Sequence, residues 1–266
     1  MSASAGHSFA FSDGPPLADH SLPTLEVLRR VSSSFASLCA EAVRTARVQG
    51  ISEKQRFRRQ AFAAHRLSGR LATLNGLRFS IGGRPPCQPS VLVSNHLGYW
   101  DAVLLAAQLP LVAIAKSELA GWPLLGRCGQ ALGTLFVRRG DAQHGARVLR
   151  EALGRLAAGV HVLNFPEGTT TNGEGVLPFR RGVFGIAAHA GVPVVPVALR
   201  LWPADAAWLG GEAFLPHYLR HWQRGGVLEA SIRFGRPLHP RDFSTAQACA
   251  YEARLQVEAL LGSGRT

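Results

Sequence analysis

The 266-residue chain is 47% hydrophobic and carries 29 basic against 17 acidic residues, which gives a formal net charge of +12. This length and apolar content suffice for one globular core, and they exclude a fibrous or wholly disordered chain. The four cysteines lie far apart and lack the C-x-x-C spacing of metal and redox motifs. We therefore expect free thiols in a reducing compartment, and we predict no metal site.

The first 22 residues contain no lysine or arginine, lack an apolar core segment and include Gly14-Pro15-Pro16. A secretory signal peptide needs a basic start followed by an apolar run, so this composition does not match one. We predict a disordered tail over residues 1–22.

Residues 23–78 are predicted to form a basic amphipathic helical hairpin. Apolar residues recur three and four positions apart from Leu25 to Ala46 and again from Phe57 to Leu74, with a break at Gly50. Between Glu26 and Arg78 there are eleven basic and three acidic residues, a local charge of +8. The apolar stripes are typical of helices packed on a domain, but they also fit a hairpin lying in a membrane interface. The charge favours a polyanionic partner, either anionic lipid or nucleic acid.

From residue 79 to 266, strand and helix patterns alternate. The predicted strands are Val91–Ser94, Leu111–Ala115, Thr134–Val137, Val160–Phe165, Val192–Leu199 and Val227–Phe234. The predicted helices are Ala102–Leu109, Glu118–Ala131, Ala142–Ala158, Val183–Ala190 and Thr245–Leu261. This order predicts an α/β fold in which a largely parallel or mixed central sheet is flanked by helices on both faces.

Two apolar stretches of this region need separate consideration. Gly182–Leu199 is an uncharged run of eighteen residues, but Pro193 and Pro196 divide it into a helix and a strand, so we predict no membrane-spanning helix. The segment Trp202–Trp222 is rich in aromatic residues. It is typical either of a membrane interface or of a loop and short helix packed on the sheet.

The segment Asn95-His96-Leu97-Gly98-Tyr99-Trp100-Asp101 places a histidine and an aspartate just after the first of these strands. A carboxylate can fix the tautomer of an imidazole and stabilise the imidazolium, which is the simplest general base in proteins. We expect Gly98 to let the chain turn between His96 and Asp101. The structural alternative is that Asp101 only caps the helix Ala102–Leu109.

Three further reactive side chains follow other strands: Lys116, Arg139 and Glu167. In a sheet of this kind, ligand sites gather at the carboxyl ends of the strands. The sequence therefore predicts one site at this edge, although each side chain alone is also consistent with an ordinary surface or helix-terminal position.

Four blocks in this order resemble those of the glycerolipid acyltransferases, the 1-acylglycerol-3-phosphate (lysophospholipid) acyltransferase family. Asn95–Asp101 matches N-H-x-x-x-x-D, and Gly133–Arg139 matches G-x-x-F-[IV]-x-R. Phe165–Thr169 matches F-P-E-G-T, and Val192–Val197 matches V-P-[IV]-[IV]-P-V. Each block alone is a weak signal, whereas four in order over about 110 residues are a strong one.

The resemblance implies an acyltransferase domain over residues 79–266 that moves an acyl chain from a thioester, either acyl-CoA or acyl carrier protein, to a lysolipid hydroxyl. No other cofactor is expected. His96 would be the general base and Asp101 its partner. The acceptor-binding residues it implies are Lys116, Arg139, Glu167, Gly168, Thr169 and Thr170. The implied location is the cytoplasm, peripheral on the inner face of the cell membrane of a bacterium.

One departure from the family pattern concerns the acceptor. The third block commonly continues F-P-E-G-T-R-S, whereas Thr170 stands here in place of the arginine. Either a nearby arginine, Arg180 or Arg181, replaces it, or the acceptor lacks a phosphate monoester. The expected acceptor is 1-acylglycerol-3-phosphate, and the alternative is lyso-ornithine lipid or another such lysolipid. A basic module without catalytic activity, binding membrane or nucleic acid, is the alternative of another class, although no nucleic-acid motif is present and no such partner is expected.

Overall fold

The computed structural model describes residues 23–138, 140–209, 211–223, 225 and 227–263. The predicted tail of residues 1–22 and the predicted acceptor residue Arg139 lie outside this range. The described residues form eight α-helices and seven β-strands. The helices are α1 (Thr24–Ala46), α2 (Glu53–Leu74), α3 (Tyr99–Ala106), α4 (Leu125–Ala131), α5 (Ala142–Ala157), α6 (Gly182–Ala190), α7 (Phe214–Gln223) and α8 (Ala246–Gly262). The strands are β1 (Leu77–Gly82), β2 (Val91–Ser94), β3 (Leu111–Lys116), β4 (Leu135–Val137), β5 (His161–Asn164), β6 (Val194–Trp202) and β7 (Leu228–Phe234).

The strands form one sheet in the order β1-β7-β6-β2-β5-β3-β4. Neighbouring strands are parallel except β6 and β7, which are antiparallel. Val91 and Val93 face a core cluster on one side of the sheet, and Leu92 faces the other, as the two-residue period of a strand requires. This confirms the predicted α/β architecture with a mixed central sheet and helices on both faces.

The segment predicted as a hairpin contains two helices, α1 and α2, that pack on the sheet domain. Helix α2 contacts α3, α5 and β3, and α1 contacts α2 and α4. Ser52 and Gln55 form a capping box at the start of α2, so this helix begins three residues after the break at Gly50. Among the described residues, no helix combines the length and apolar character needed to cross a bilayer.

Two elements outside the site differ from the sequence prediction. A single helix over Glu118–Ala131 was wrong: a 3-10 turn at Ser117–Gly121 is followed by the shorter α4. Pro123 holds Trp122 extended, and Leu124 has a positive φ of 66°, so a continuous helix is interrupted there. Strand β1 was not predicted, although Leu77, Phe79 and Ile81 alternate with Arg78, Ser80 and Gly82. It is a six-residue edge strand, and its first two residues were assigned to the predicted hairpin of residues 23–78.

Candidate active site

The first element of the site is the turn that follows β2, the central strand between β5 and β6. Asn95 is buried and pins this turn to β6: its Nδ2 donates to the carbonyl of Leu199 at 2.9 Å, and its Oδ1 accepts from the N–H of Leu199 at 2.8 Å. Because both amide groups of Asn95 are used, the backbone that leads into His96 is fixed.

His96 and Asp101 are brought together as predicted. The Nδ1–H of His96 donates to Asp101 Oδ2 at 2.7 Å, and Asp101 is fully buried. The same Oδ2 accepts from the N–H groups of Leu97 at 2.6 Å and Gly98 at 2.8 Å, which hold the carboxylate in place. Since Nδ1 carries the proton, Nε2 has the free lone pair that a general base needs.

The backbone conformation between His96 and Asp101 differs from the prediction. The helix begins at Tyr99 rather than Ala102, so Asp101 lies in the first turn of α3 and is not the residue preceding it. Gly98 has an extended φ of 166°, which any residue adopts, so the turn does not depend on its conformational freedom. Its lack of a side chain favours close packing instead: a Cβ on Gly98 would lie 3.2 Å from the backbone nitrogen of Trp208, a tight contact, and this nitrogen donates to the carbonyl of Leu97.

Phe165, in the loop after β5, fixes the plane of the imidazole. The rings of Phe165 and His96 stack with centroids 4.1 Å apart and planes 11° apart. Sequence reasoning missed this role, because an apolar residue at a strand end is indistinguishable from an ordinary core residue until the neighbouring loop is placed against it.

Glu167 lies on the same loop and braces the turn that carries His96. It is 4% exposed, and its two oxygens accept from backbone N–H groups, one from His96 at 3.2 Å and the other from Leu177 at 3.1 Å. Burial raises the pKa of Glu167 to about 7, against the lowering effect of these two hydrogen bonds. The structure therefore gives Glu167 a positioning contact with the histidine loop, which is the turn after β2 that carries His96. Acceptor binding by the carboxylate of Glu167 stays a prediction.

The remaining predicted acceptor residues surround this loop or lie further away. Gly168 is buried with a φ of +78°, Thr169 is exposed and Thr170 is half-buried. Lys116 is exposed at the end of β3, which is separated from β2 by β5. Two neighbouring strands lie about 4.8 Å apart, so Lys116 begins about 10 Å from the histidine strand. The structure thus places Gly168, Thr169 and Thr170 beside His96 and Lys116 farther along the same edge.

An apolar cavity of about 350 Å³ lies beside the first turn of α3. Its walls come from the hairpin helices, α3, β3, α4 and α7, so residues far apart in the sequence enclose it. Tyr99, Trp122, Trp208 and Phe214 form an aromatic rim in which the ring centroids lie 4.9–6.2 Å apart. The volume and the apolar lining are those of a site for a small apolar ligand or a lipid chain.

The aromatic segment Trp202–Trp222 accounts for part of this cavity. Trp222 and Tyr218 are buried against the sheet, which confirms that the segment packs as a loop and a short helix. Tyr99 connects the segment to α3, since its hydroxyl lies 3.0 Å from Nδ1 of the buried His217.

Known proteins resemble this chain in sequence and in fold. The family model described as "Acyltransferase" matches residues 81–200. Lyso-ornithine lipid O-acyltransferase of Pseudomonas aeruginosa is 38% identical over 155 residues, which are 55% of this chain and 59% of the relative. The enzyme of the same name from Brucella abortus is 34% identical over 213 residues, 73% of this chain and 79% of the relative. Thus the chain matches somewhat less than two thirds of the first relative and more than three quarters of the second.

A solved structure has the same fold. The crystal structure of the 1-acyl-sn-glycerophosphate (LPA) acyltransferase PlsC from Thermotoga maritima superposes with a TM-score of 0.66. The alignment covers 90% of this chain and 94% of PlsC at 21% sequence identity. This likeness extends over the hairpin as well as the sheet domain, because it spans nearly all of both chains.

Proposed function

The chain belongs to the acyltransferase family, and we propose that it moves an acyl chain from a thioester donor to the hydroxyl of a lysolipid. The observation that carries the proposal is the His96–Asp101 pair, which leaves Nε2 of His96 as the base. The apolar cavity is lined by Tyr99 and Trp100, which lie in the same turn of α3 as Asp101. Acyl transfer to a lipid hydroxyl needs a base for the hydroxyl proton and an apolar site for a lipid chain.

In the proposed reaction, Nε2 of His96 takes the proton of the acceptor hydroxyl while that oxygen attacks the thioester carbonyl. Asp101 balances the charge of the resulting imidazolium across the 2.7 Å contact. The tetrahedral intermediate then collapses, the carbon–sulfur bond breaks, and the imidazolium returns the proton to the thiolate. The thioester is already activated, so no protein nucleophile is required.

The developing oxyanion requires nearby hydrogen-bond donors. The backbone amides of the Glu167-Gly168-Thr169 turn are the candidates closest to the histidine loop. The amide of Gly168 is used within the turn, where it donates to the carbonyl of Phe165 at 3.1 Å. We therefore assign this role to the amides of Glu167 and Thr169.

For the acceptor we place lyso-ornithine lipid ahead of 1-acylglycerol-3-phosphate. The names of the Pseudomonas and Brucella relatives support lyso-ornithine lipid, and so does Thr170, which supplies no charge for a phosphate monoester. Acyl-CoA and acyl carrier protein both remain as donors, because a thioester is common to the two.

The test is acyl transfer by the purified protein in detergent, with labelled acyl-CoA or acyl carrier protein and a panel of lysolipids. We expect transfer to lyso-ornithine lipid that is lost in His96→Ala, while the thermal midpoint stays that of the wild type. Transfer retained by His96→Ala would remove His96 as the base. No transfer to any acceptor from either donor would refute the proposed function and favour a module without catalytic activity.

We also propose that the hairpin docks the enzyme on an anionic membrane surface, on the cytoplasmic side. Arg44 and Arg66 both pair with the buried Glu41, at 2.8 and 2.6 Å, and Arg59 donates to the carbonyl of Arg44. These contacts gather three arginines on one surface, and Phe62 stands among the exposed positions of α2 with 51% of its surface accessible. Arginines around an exposed aromatic ring favour an interface of anionic head groups and acyl chains.

Sedimentation with phosphatidylglycerol vesicles tests this docking. Each basic residue near an anionic leaflet contributes about 1 kcal/mol, so Arg44→Gln combined with Arg66→Gln should weaken binding about thirtyfold at low salt and less at high salt. Arg236→Gln with Arg241→Gln is the matched control, since both residues are exposed and lie outside the hairpin. Equal binding by the two double variants would move membrane docking to another surface.

A further inference from the structure

Arg180 covers the Glu167–Gly168 turn, which lies next to the loop that carries His96. A Cβ on Gly168 would lie 2.9 Å from Nε and 3.0 Å from Cζ of Arg180, so the guanidinium of Arg180 rests directly on the Glu167–Gly168 turn. The backbone of Arg180 is fixed there as well, because its N–H donates to the carbonyl of Pro166 at 3.0 Å. The neighbouring Phe179 is buried in the core and anchors the same segment.

This turn reaches His96 by two routes. Glu167 Oε2 accepts from the N–H of His96, and the N–H of Thr171 donates to the carbonyl of His96 at 2.8 Å. The guanidinium of Arg180 therefore lies on the loop that forms the wall beside the general base. We therefore expect one acceptor molecule to meet both the guanidinium of Arg180 and Nε2 of His96.

The guanidinium of Arg180 is also available to bind a ligand. Arg180 is exposed, and within the part of the chain that the structure describes it has no hydrogen bond or ion pair to its side chain. The nearest carboxylate on the turn, Glu167, already accepts two backbone N–H groups. An unpaired planar fork of N–H donors matches the oxygens of a phosphate or carboxylate.

We propose that Arg180 binds the anionic group of the acceptor and supplies the charge that Thr170 does not. The ligand is an oxyanion: the carboxylate of lyso-ornithine lipid or the phosphate of 1-acylglycerol-3-phosphate. This inference rests on the proposed acyl transfer. Of the two arginines that the sequence left open, the structure favours Arg180. Arg181 instead precedes α6, where its carbonyl accepts from the N–H groups of Phe184 and Gly185, and among the described residues no hydrogen bond or ion pair joins its side chain to the turn.

The experiment compares Arg180→Ala, Arg180→Gln and Arg180→Lys with Arg181→Ala, which removes the same charge one residue away. Steady-state transfer is measured for lyso-ornithine lipid and for 1-acylglycerol-3-phosphate in separate arms. We expect Arg180→Ala to raise the acceptor KM about tenfold or more, a loss of about 1.4 kcal/mol, with kcat and the donor KM within threefold of wild type. Arg180→Lys should retain part of the affinity as a point charge.

The separate assays of the two lipids show which of them supplies the oxyanion, because Arg180→Ala raises the KM only of the acceptor that Arg180 binds. Arg180→Ala and Arg180→Gln variants that change the acceptor KM no more than Arg181→Ala would overturn the proposal. A parallel change of donor KM, kcat and thermal midpoint would also overturn it, because that pattern marks a structural role.

A binding measurement keeps this test separate from the proposed function. Equilibrium binding of monomeric 1-acylglycerol-3-phosphate and lyso-ornithine lipid is measured without any donor. If wild type transfers to no acceptor, the acyltransferase proposal fails. Arg180 is still supported if its alanine variant binds either lipid about tenfold more weakly than Arg181→Ala does, and is refuted if the two variants bind alike.

Discussion

The buried carboxyl of Glu167 makes the stability of the protein depend on pH. Burial raises its pKa from 4.5 to about 7, so between these values the folded state keeps a proton that the unfolded chain releases. The unfolded state binds fewer protons in this window, and therefore the free energy of unfolding falls as the pH rises. One pKa unit corresponds to about 1.4 kcal/mol, so the total fall attributable to Glu167 is about 3 kcal/mol.

Glu167→Gln removes this titration and isolates it. Urea unfolding followed by circular dichroism would be measured for both proteins from pH 4 to pH 8, because all other titrating groups cancel in the difference between them. We expect the stability of wild type relative to the variant to fall by about 3 kcal/mol across this range and to level off above pH 7. The two proteins will also differ in free energy of unfolding by an amount that does not depend on pH, because glutamine offers one acceptor oxygen to two backbone N–H groups.

Glu174→Gln is the matched control, because Glu174 lies at an exposed position of the same loop. A stability difference between wild type and Glu167→Gln that stays constant with pH would refute the reasoning. It would mean that the carboxyl is ionised in the folded protein as readily as in the unfolded chain.

Three further predictions concern the pair, the cavity and the hairpin. Asp101→Asn should keep the hydrogen bond to His96 but lose the charge that stabilises the imidazolium, so kcat should fall by about 10²–10⁴-fold in the transfer assay, and near wild-type turnover would contradict this. Ala64→Phe fills a cavity wall and should shift preference toward shorter acyl donors in a competition assay; an unchanged preference would place the acyl chain elsewhere. Glu41→Ala leaves two arginines unpaired and should lower the free energy of unfolding by about 1–2 kcal/mol in urea. The exposed Glu53→Ala should cost less than about 0.5 kcal/mol, and equal losses would remove the special role of Glu41.

The spacing of apolar residues predicted the elements in which the buried positions follow a regular pattern. Strand β2 is buried at every position and α2 buries a regular stripe that includes Phe57, Ala61 and Leu67. In both cases one pattern dominates the local sequence and the tertiary structure agrees with it. Strand β1 was missed for another reason. Its apolar residues alternate with Arg78 and Ser80 as in a strand, but the run is short and follows a strong helical pattern, and it is held in the sheet by its pairing with β7.

The site was predictable to the extent that its chemistry lies within one segment. His96 and Asp101 are five residues apart, and their contact depends on the local turn and the start of α3. The stacking of Phe165 on His96 and the approach of Arg180 to Gly168 depend instead on how two loops meet. Arg180 and Arg181 are equivalent in the sequence, and only the packing of Arg180 on the turn separates them.

Composition alone left open whether the hairpin packs on the domain or lies in a membrane interface, and the structure of the hairpin explains why. The hairpin has an apolar inner face and a group of arginines on its outer surface, although Arg58 also bonds to the carbonyl of Ala158 and Arg30 lies over the buried ring of Trp222. The inner face, including Phe35 of α1 and Leu67 of α2, lines the cavity, while Arg44 and Arg66 lie on the outer surface. Packing on the domain and docking on an anionic membrane are therefore compatible, because each uses its own face. A lipid chain entering the cavity would meet the hairpin as a wall, and the same two helices would hold that wall at the membrane surface.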